Sequence, residues 1–338
     1  MSSFFMQTVK DKMERYAEKS PLLKINILIN WQKILLIIQE VKQVSYEKGG
    51  RPPYDTISMF KAVLLGQWHS LSDEALEYCL ACRFDFMLFC GFDDIKMPDA
   101  TTLGRFRNFL IDNDLLSKLL DEINRQLEEY GLKVKNADTA IIDATIIQTA
   151  ASKYNKVIEE DKDGNAVEYT LCKDIEAGWQ KKYGKWKLGF KMHNMVDAQG
   201  FVNKAYGTPA NESDTKNFAP LLDDLPENTT VYADKGYCSE ENRQHLKERG
   251  LRNGIMDKAK KGTPLTDAQL QRNKKLTQTR YVVERTFGTI HRIFNGKRSS
   301  YFGLKKCEGQ FLLKAICANL LKAANKLHCV GKLMPYYA

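Results

Sequence analysis

The sequence predicts an α/β protein: a mixed sheet flanked by helices, preceded by an all-helical N-terminal domain. Three observations predict it. Apolar residues recur at helical spacing through about residue 130. From about Thr139 the period changes to that of strands. Beyond the first strand the order reads ββ, α, β, α, β, α, which fits a mixed sheet with helices on its faces.

In the helical region, Ile34, Leu35, Ile37, Ile38 and Val41 share helical spacing. Residues 22–41 are interrupted by Lys24, Asn26, Asn30, Gln32 and Lys33, so they suit an amphipathic helix and not a membrane span. A Gly-Gly-Arg-Pro-Pro breaker at 49–53 precedes a helix capped by Asp55 or Thr56, with Met59, Phe60, Val63, Leu64 and Trp68 inside it. Ser72 caps the next, with Asp73 and Glu74 in its first turn. Asp99 or Thr101 opens another, which carries Arg105 and Arg107. Short helices with sharp turns fit a DNA-binding module, and equally a plain helical bundle.

A strand is expected at 139–147, then a polar stretch at 152–186 that reads as a long loop or insertion. A hairpin follows, with strands at 187–196 and 201–206 around a turn at 197–200. Residues 211–222 read as helical and 229–234 as a strand. Ser239 caps a helix that Gly250 ends. A short strand at 253–256 and a basic loop at 258–275 lead to a helix holding Glu284. The expected domains are 1–135 and 136–326, with a tail at 327–338.

A composition of 43% hydrophobic and 28% charged residues is that of a globular protein, not a disordered or fibrous one. The net charge is +9. Residues 251–300 hold 12 basic and 3 acidic side chains, and the rest of the chain carries 39 of each sign. A basic patch confined to the Glu284 segment suggests a polyanionic substrate, nucleic acid first. The alternative is a solvated basic surface. Eight cysteines without a signal peptide point to reduced thiols and a cytoplasmic location. Cys79 and Cys82 have zinc spacing, but no second pair follows.

Three acidic residues stand in unusual settings. Asp143 lies inside the apolar run Ala140-Ile-Ile-Asp-Ala-Thr-Ile-Ile147. Asp234 closes Val231-Tyr-Ala-Asp234 and is followed by Lys235-Gly236-Tyr237. Glu284 lies in Arg280-Tyr-Val-Val-Glu284-Arg285. A carboxylate in an apolar strand is costly to bury unless it is paired or binds a metal. Two strands and one helix can bring three carboxylates together, a donor set that hard divalent cations prefer. On the helix, Val283, Phe287, Ile290 and Phe294 form an apolar stripe, with Arg280, Glu284, Gly288 and His291 in the adjacent row. Glu284 is therefore expected to border the buried face. An ordinary Arg280–Glu284 surface pair, worth about 0.3–0.5 kcal/mol, is the competing explanation. Trp179 and Trp186 fit base stacking, but packing against the sheet is the stronger expectation.

Taken in order, these segments resemble the DDE-type transposases of bacterial insertion sequences, most closely the insertion-sequence-five family. The likeness runs from about Gly50 to about Lys326 and is carried by Ile142-Asp143-Ala-Thr-Ile-Ile147, Gly189-Phe-Lys-Met-His193, Ala233-Asp234-Lys-Gly-Tyr237 and Arg280-x-x-x-Glu284-Arg-x-Phe-Gly288. The resemblance implies a ribonuclease-H-like catalytic domain. It implies Asp143, Asp234 and Glu284 as catalytic residues and as ligands of Mg²⁺, for which Mn²⁺ could substitute. The expected DNA contacts are Arg105, Arg107, Lys187, Lys191, Lys235, Arg280, Arg285, His291, Arg292, Lys297 and Arg298. The expected partners are double-stranded DNA, at the terminal inverted repeats and at the target, and a second copy of the chain. The expected place is the bacterial nucleoid, with no membrane. Thr277, His291 and Ser213 stand where the family pattern has Tyr, Lys and His. A nuclease that does not join strands, a DNA-binding regulator with an inert core, and an inactive remnant share parts of this pattern.

Overall fold

The computed structural model describes residues 11, 15–16, 19–41, 52–92, 96–135, 138–151, 154–160, 166–182, 184–260 and 262–327. The breaker at 49–51, Cys329 and nearly all of the tail lie outside them. The chain divides into two compact units, Met1–Lys135 with Leu312–Ala338, and Asn136–Phe311. This division falls at Phe311, inside the expected 136–326 domain. Residues from Leu312 onward belong with the helices, where Asn319 Nδ2 donates to Asn124 Oδ1 (2.8 Å) and the Lys326 ammonium to the Leu132 carbonyl (2.8 Å).

In the helical unit, α1 (Pro21–Leu28) and α2 (Trp31–Gln39) replace the single helix expected over 22–41. The pair bends by 70° where the Asn30 side chain caps α2 by accepting from the Gln32 and Lys33 amides. Among the described residues no single helix is long and apolar enough to cross a membrane; this bent pair passes on length and composition alone. Helix α3 (Thr56–Trp68) is buried on nearly every side, as a helix apolar all round must be. Its Lys61 donates to Asn26 Oδ1 (2.7 Å) and lies over the Trp31 ring, and burial lowers its pKa to about 8. Next come α4 (Asp73–Cys82), α5 (Phe84–Cys90), α6 (Ala100–Asp112) and α7 (Leu115–Glu129). Asp55, Ser72 and Asp99 cap α3, α4 and α6 through backbone amides. Gly91, at φ +79°, ends α5 in the left-handed region that glycine tolerates best.

The second unit is built on a six-stranded sheet. Its strands are β1 (Thr139–Gln148), β4 (Gly178–Lys182), β5 (Lys185–Val196), β6 (Val202–Pro209), β7 (Thr230–Ala233) and β8 (Arg252–Ile255). Strands β4 and β6 both pair with β5, β5 runs antiparallel to β1, and β1, β7 and β8 are parallel. Read as β6-β5-β1-β7-β8, three antiparallel strands joined to two parallel ones give the ribonuclease-H-like order. One face packs Ile142, Met195, Phe218, Leu221, Ala233 and Tyr237 with Leu246 of α8 (Glu240–Glu248). The other carries α9 (Asp267–Arg292). Helix α10 (Leu304–Lys326) begins in this unit, its first amides taken up by Asp174 Oδ1 on Gly303 (3.1 Å) and Glu176 Oε2 on Leu304 (2.8 Å).

Three expectations are corrected. Of the two alternatives for the polar stretch 152–186, the loop is corrected and the insertion stands: it holds β2 (Tyr154–Glu160) paired with β3 (Ala166–Cys172) as a separate two-stranded sheet, then edge strand β4. Its lysines hide the alternation because an edge strand is defended by charge. The basic stretch 258–275 ends in helix from Asp267, where Thr266 and Gln269 form a reciprocal capping box. Residues 211–222 make two 3₁₀ turns, Asp214–Asn217 and Ala219–Leu221, in place of a helix.

Three strands meet at Gly189, which pairs with Gln148 of β1 and Gly178 of β4. A Cβ at Gly189 would lie 2.0 Å from the Ile147 carbonyl oxygen, a backbone atom that cannot swing aside. We therefore expect Gly189→Ala to destabilise the protein by about 2–4 kcal/mol or to prevent folding. Urea denaturation checks this, with Gly288→Ala as the comparison, a helical position whose Cβ would meet only the far end of the Arg292 side chain at 3.4 Å.

Candidate active site

The parallel register of β1 and β7 builds the site. Ile142 pairs with Ala233, so the residues that follow them, Asp143 and Asp234, come side by side on neighbouring strands. Both carboxylates are fixed locally. Asp143 Oδ1 accepts from the Ala144 amide (2.8 Å), and Asp234 Oδ1 accepts from the Lys235 amide (2.7 Å), capping a 3₁₀ turn. Arg280 reaches both from α9: Nη2 is 3.3 Å from Asp143 Oδ2 and Nη1 is 3.4 Å from Asp234 Oδ1. Its side chain is only 8% exposed, against 22% for Asp143 and 40% for Asp234.

Burial pushes the Asp143 carboxyl up to about 6; Arg280, the Ala144 amide and Lys182 pull it back, and Asp234 pushes it further. Lys182 was not anticipated, because it lay in the presumed loop. Also unanticipated is Asn194, fully buried on β5 and paired across the strands with Asp143.

Glu284 does not join the two aspartates. It is exposed, one turn beyond Arg280, and does not border the buried face as its helical row suggested. Among the described residues no three acidic, histidine or cysteine side chains gather closely enough to hold a metal ion. Three carboxylates at one point repel one another unless cations offset them; here one guanidinium offsets two.

The expected DNA contacts divide into groups. Lys235, Arg285, Arg292, Lys297 and Arg298 are exposed around α9 and the turns near it, and Lys187 is partly exposed on β5. His291 is partly buried, with Nε2 3.3 Å from Thr145 Oγ1 and its ring stacked on Phe287. Arg298 donates to the Thr149 and Ala150 carbonyls. Lys191 is corrected: it is buried, ion-paired with Asp214 (2.8 Å) and bonded to the Glu212 carbonyl (2.6 Å), so it has a structural partner in place of DNA. In the helical unit Arg105 is exposed, but Arg107 is buried in an ion pair with Asp73 and is likewise corrected. Trp179 and Trp186 are 46% and 63% exposed on the β4–β5 hairpin, so neither is fully buried against the sheet as expected. Cysteines 79, 82, 90, 238, 307 and 317 are free thiols.

The transposase DDE domain family matches residues 135–320, which contain Asp143, Asp234 and Glu284. This chain belongs to the DDE transposases. Residues 10–109 match a second family, described as Transposase domain (DUF772). The chain is also 55% identical over 252 residues to the transposase for insertion sequence element IS1106 of Neisseria meningitidis serogroup B, covering 74% of this chain and 85% of that one. It is thus a bacterial insertion-sequence transposase, a metal-dependent enzyme that cuts and joins DNA at element ends. Among solved structures, the Mos1 transposase paired-end complex with left transposon end aligns at 11% identity and a TM-score of 0.21, over 84% of this chain and 99% of that one. The Mos1 mariner paired end complex with Mn aligns at 11% identity and 0.21, over 81% and 89%.

The raised Asp143 value gives a pH dependence. Between the ordinary value of 3.8 and about 6 the folded chain binds a proton that the unfolded chain has lost. Asp143 should therefore contribute a fall in stability in EDTA of about 1–3 kcal/mol as pH rises through that window, while buried His193, held down to about 4, contributes in the opposite sense. Asp143→Asn should remove the Asp143 contribution and be the more stable form at pH 7; urea denaturation from pH 4 to pH 7 checks it.

Proposed function

We propose that this transposase, of the insertion-sequence-five kind, cuts at the terminal repeats of its own element with Mg²⁺ held by Asp143, Asp234 and Glu284. The observation that carries this reading is the Arg280 guanidinium on both Asp143 and Asp234. It is a cation where a cation would be held, and oxygen donors on adjacent strands suit a hard divalent ion. Asp143, Asp234 and Glu284 would each offer carboxylate oxygens to hold it. For Glu284 to serve, its exposed side chain must turn toward β1. The chemistry such ions supply is activation of water at a scissile phosphate and stabilisation of the leaving 3′-oxygen.

The protein's own residues hold the DNA. Lys235 follows Asp234 directly, and Arg285, Arg292, Lys297 and Arg298 are exposed on the helix that carries Arg280 and in the turn after it. Their contacts are with phosphates, so they fix position without reading sequence. Arg105 of α6 serves a DNA-binding role in the helical unit. Two copies of the chain pair the two element ends.

The test uses a labelled duplex carrying the element's own end, with Mg²⁺. Asp143→Asn, Asp234→Asn and Glu284→Gln should each reduce nicking and joining by at least about a thousandfold, ~4 kcal/mol of barrier, with DNA binding retained. Tight binding by the wild type without any cleavage would instead favour the regulator reading.

A further inference from the structure

The way Arg280 is held suggests a second role for it. Its contacts to the two aspartates, at 3.3 and 3.4 Å, are long for charge-assisted hydrogen bonds, which lie near 2.7–2.9 Å. Its third contact is to the Met256 sulfur at 3.4 Å, a weak acceptor. Its Nε is buried and donates to nothing among the described residues. A guanidinium has five N–H donors in a rigid fork, and the three contacts this one makes are long or go to a weak acceptor. It is central enough to offset two carboxylates and too loosely bonded to be locked there.

We propose that Arg280 is an exchangeable counterion. It neutralises Asp143 and Asp234 when no divalent ion is bound, gives way when one binds, and then pairs with a DNA phosphate. This rests on the reading of Asp143 and Asp234 as metal ligands. The guanidinium and the ion cannot both occupy the space between the two carboxylates, so they compete. Displaced, a buried guanidinium needs another anion, and DNA in the site offers a phosphodiester, which matches its fork. Metal binding and DNA binding therefore strengthen each other, by the same factor in both directions.

Mn²⁺ binding to the full chain, read from the signal of free Mn²⁺ in electron paramagnetic resonance, tests this without reference to activity. Arg280→Gln should bind Mn²⁺ about tenfold more tightly than wild type in the absence of DNA. Lys274→Gln, which removes an exposed charge from the same helix, should change it less than about twofold. With a duplex of the element's end, wild type should gain Mn²⁺ affinity, and Arg280→Gln should gain much less. Should the Gln variant fail to fold, Arg280→Lys carries the test: one ammonium cannot span both carboxylates as the fork does, so its Mn²⁺ affinity should rise as well. If Asp143→Asn and Asp234→Asn lose Mn²⁺ while Arg280→Gln binds it no more tightly than wild type, the exchange is overturned and the metal site stands. If Asp143→Asn keeps wild-type Mn²⁺ affinity, the metal site falls and the exchange with it.

Discussion

One guanidinium between two carboxylates is the interaction on which the site depends. Asp143 and Asp234 are adjacent because β1 and β7 run parallel with Ile142 opposite Ala233. Adjacent, they repel; Asp143 is also poorly solvated, so its charged form is doubly disfavoured. Arg280 from α9 answers both problems at once. The helix is held over β1 by Val283, Phe287 and Ile290, buried along the same side as Arg280, and by the Thr286 hydroxyl bonded to the Gly200 carbonyl (3.0 Å). The apolar face of α9 therefore aims the charge.

The other basic groups sort by what surrounds them. Lys191 and Arg107 are consumed by structure, each buried against an aspartate. Removing one partner of such a pair leaves a poorly solvated charge, so their role is to hold strands and helices in place. Arg272 is spent on Asp257 and the carbonyls of Asn253 and Ile255. Of the exposed members of the basic 251–300 segment, Arg285, Arg292, Lys297 and Arg298 lie on α9 or in the turn after it, and Arg252, Lys258 and Lys260 precede the helix. Part of the positive surface thus lies on the helix that brings Arg280 to the aspartate pair. That is the economy expected of a site for a polyanion cut at its own backbone.

Much of this was legible in the sequence. Strand β1, the β5–β6 hairpin, and the caps at Ser72 and Ser239 follow from period and local chemistry, which act over a few residues. Asp143 and Asp234 stood out because carboxylates in apolar strands need a reason. What stayed hidden depends on pairing across distance. Lys191 reads as a surface charge until its strand is seen to bury it opposite Asp214. The β2–β3 and β4 strands lack apolar alternation and looked like loop. Glu284 shared a helical row with Arg280, yet a few tens of degrees around the helix separate a buried guanidinium from an exposed carboxylate. The start of α9 was readable in principle, since Thr266 and Gln269 have capping-box spacing, but the surrounding lysines masked it.

The measurement closest to the central claim is a pair of double-mutant cycles on the metal-free protein, by urea denaturation in EDTA. One joins Asp143→Asn to Arg280→Gln, the other Asp234→Asn to Arg280→Gln. If one guanidinium serves both carboxylates, each cycle should show favourable coupling. It should be about 1–3 kcal/mol for the half-buried Asp143 and smaller, below about 1 kcal/mol, for the more exposed Asp234. Coupling near zero in both cycles would contradict the account, because Arg280 would then be a bystander and the two aspartates would be held by the sheet alone.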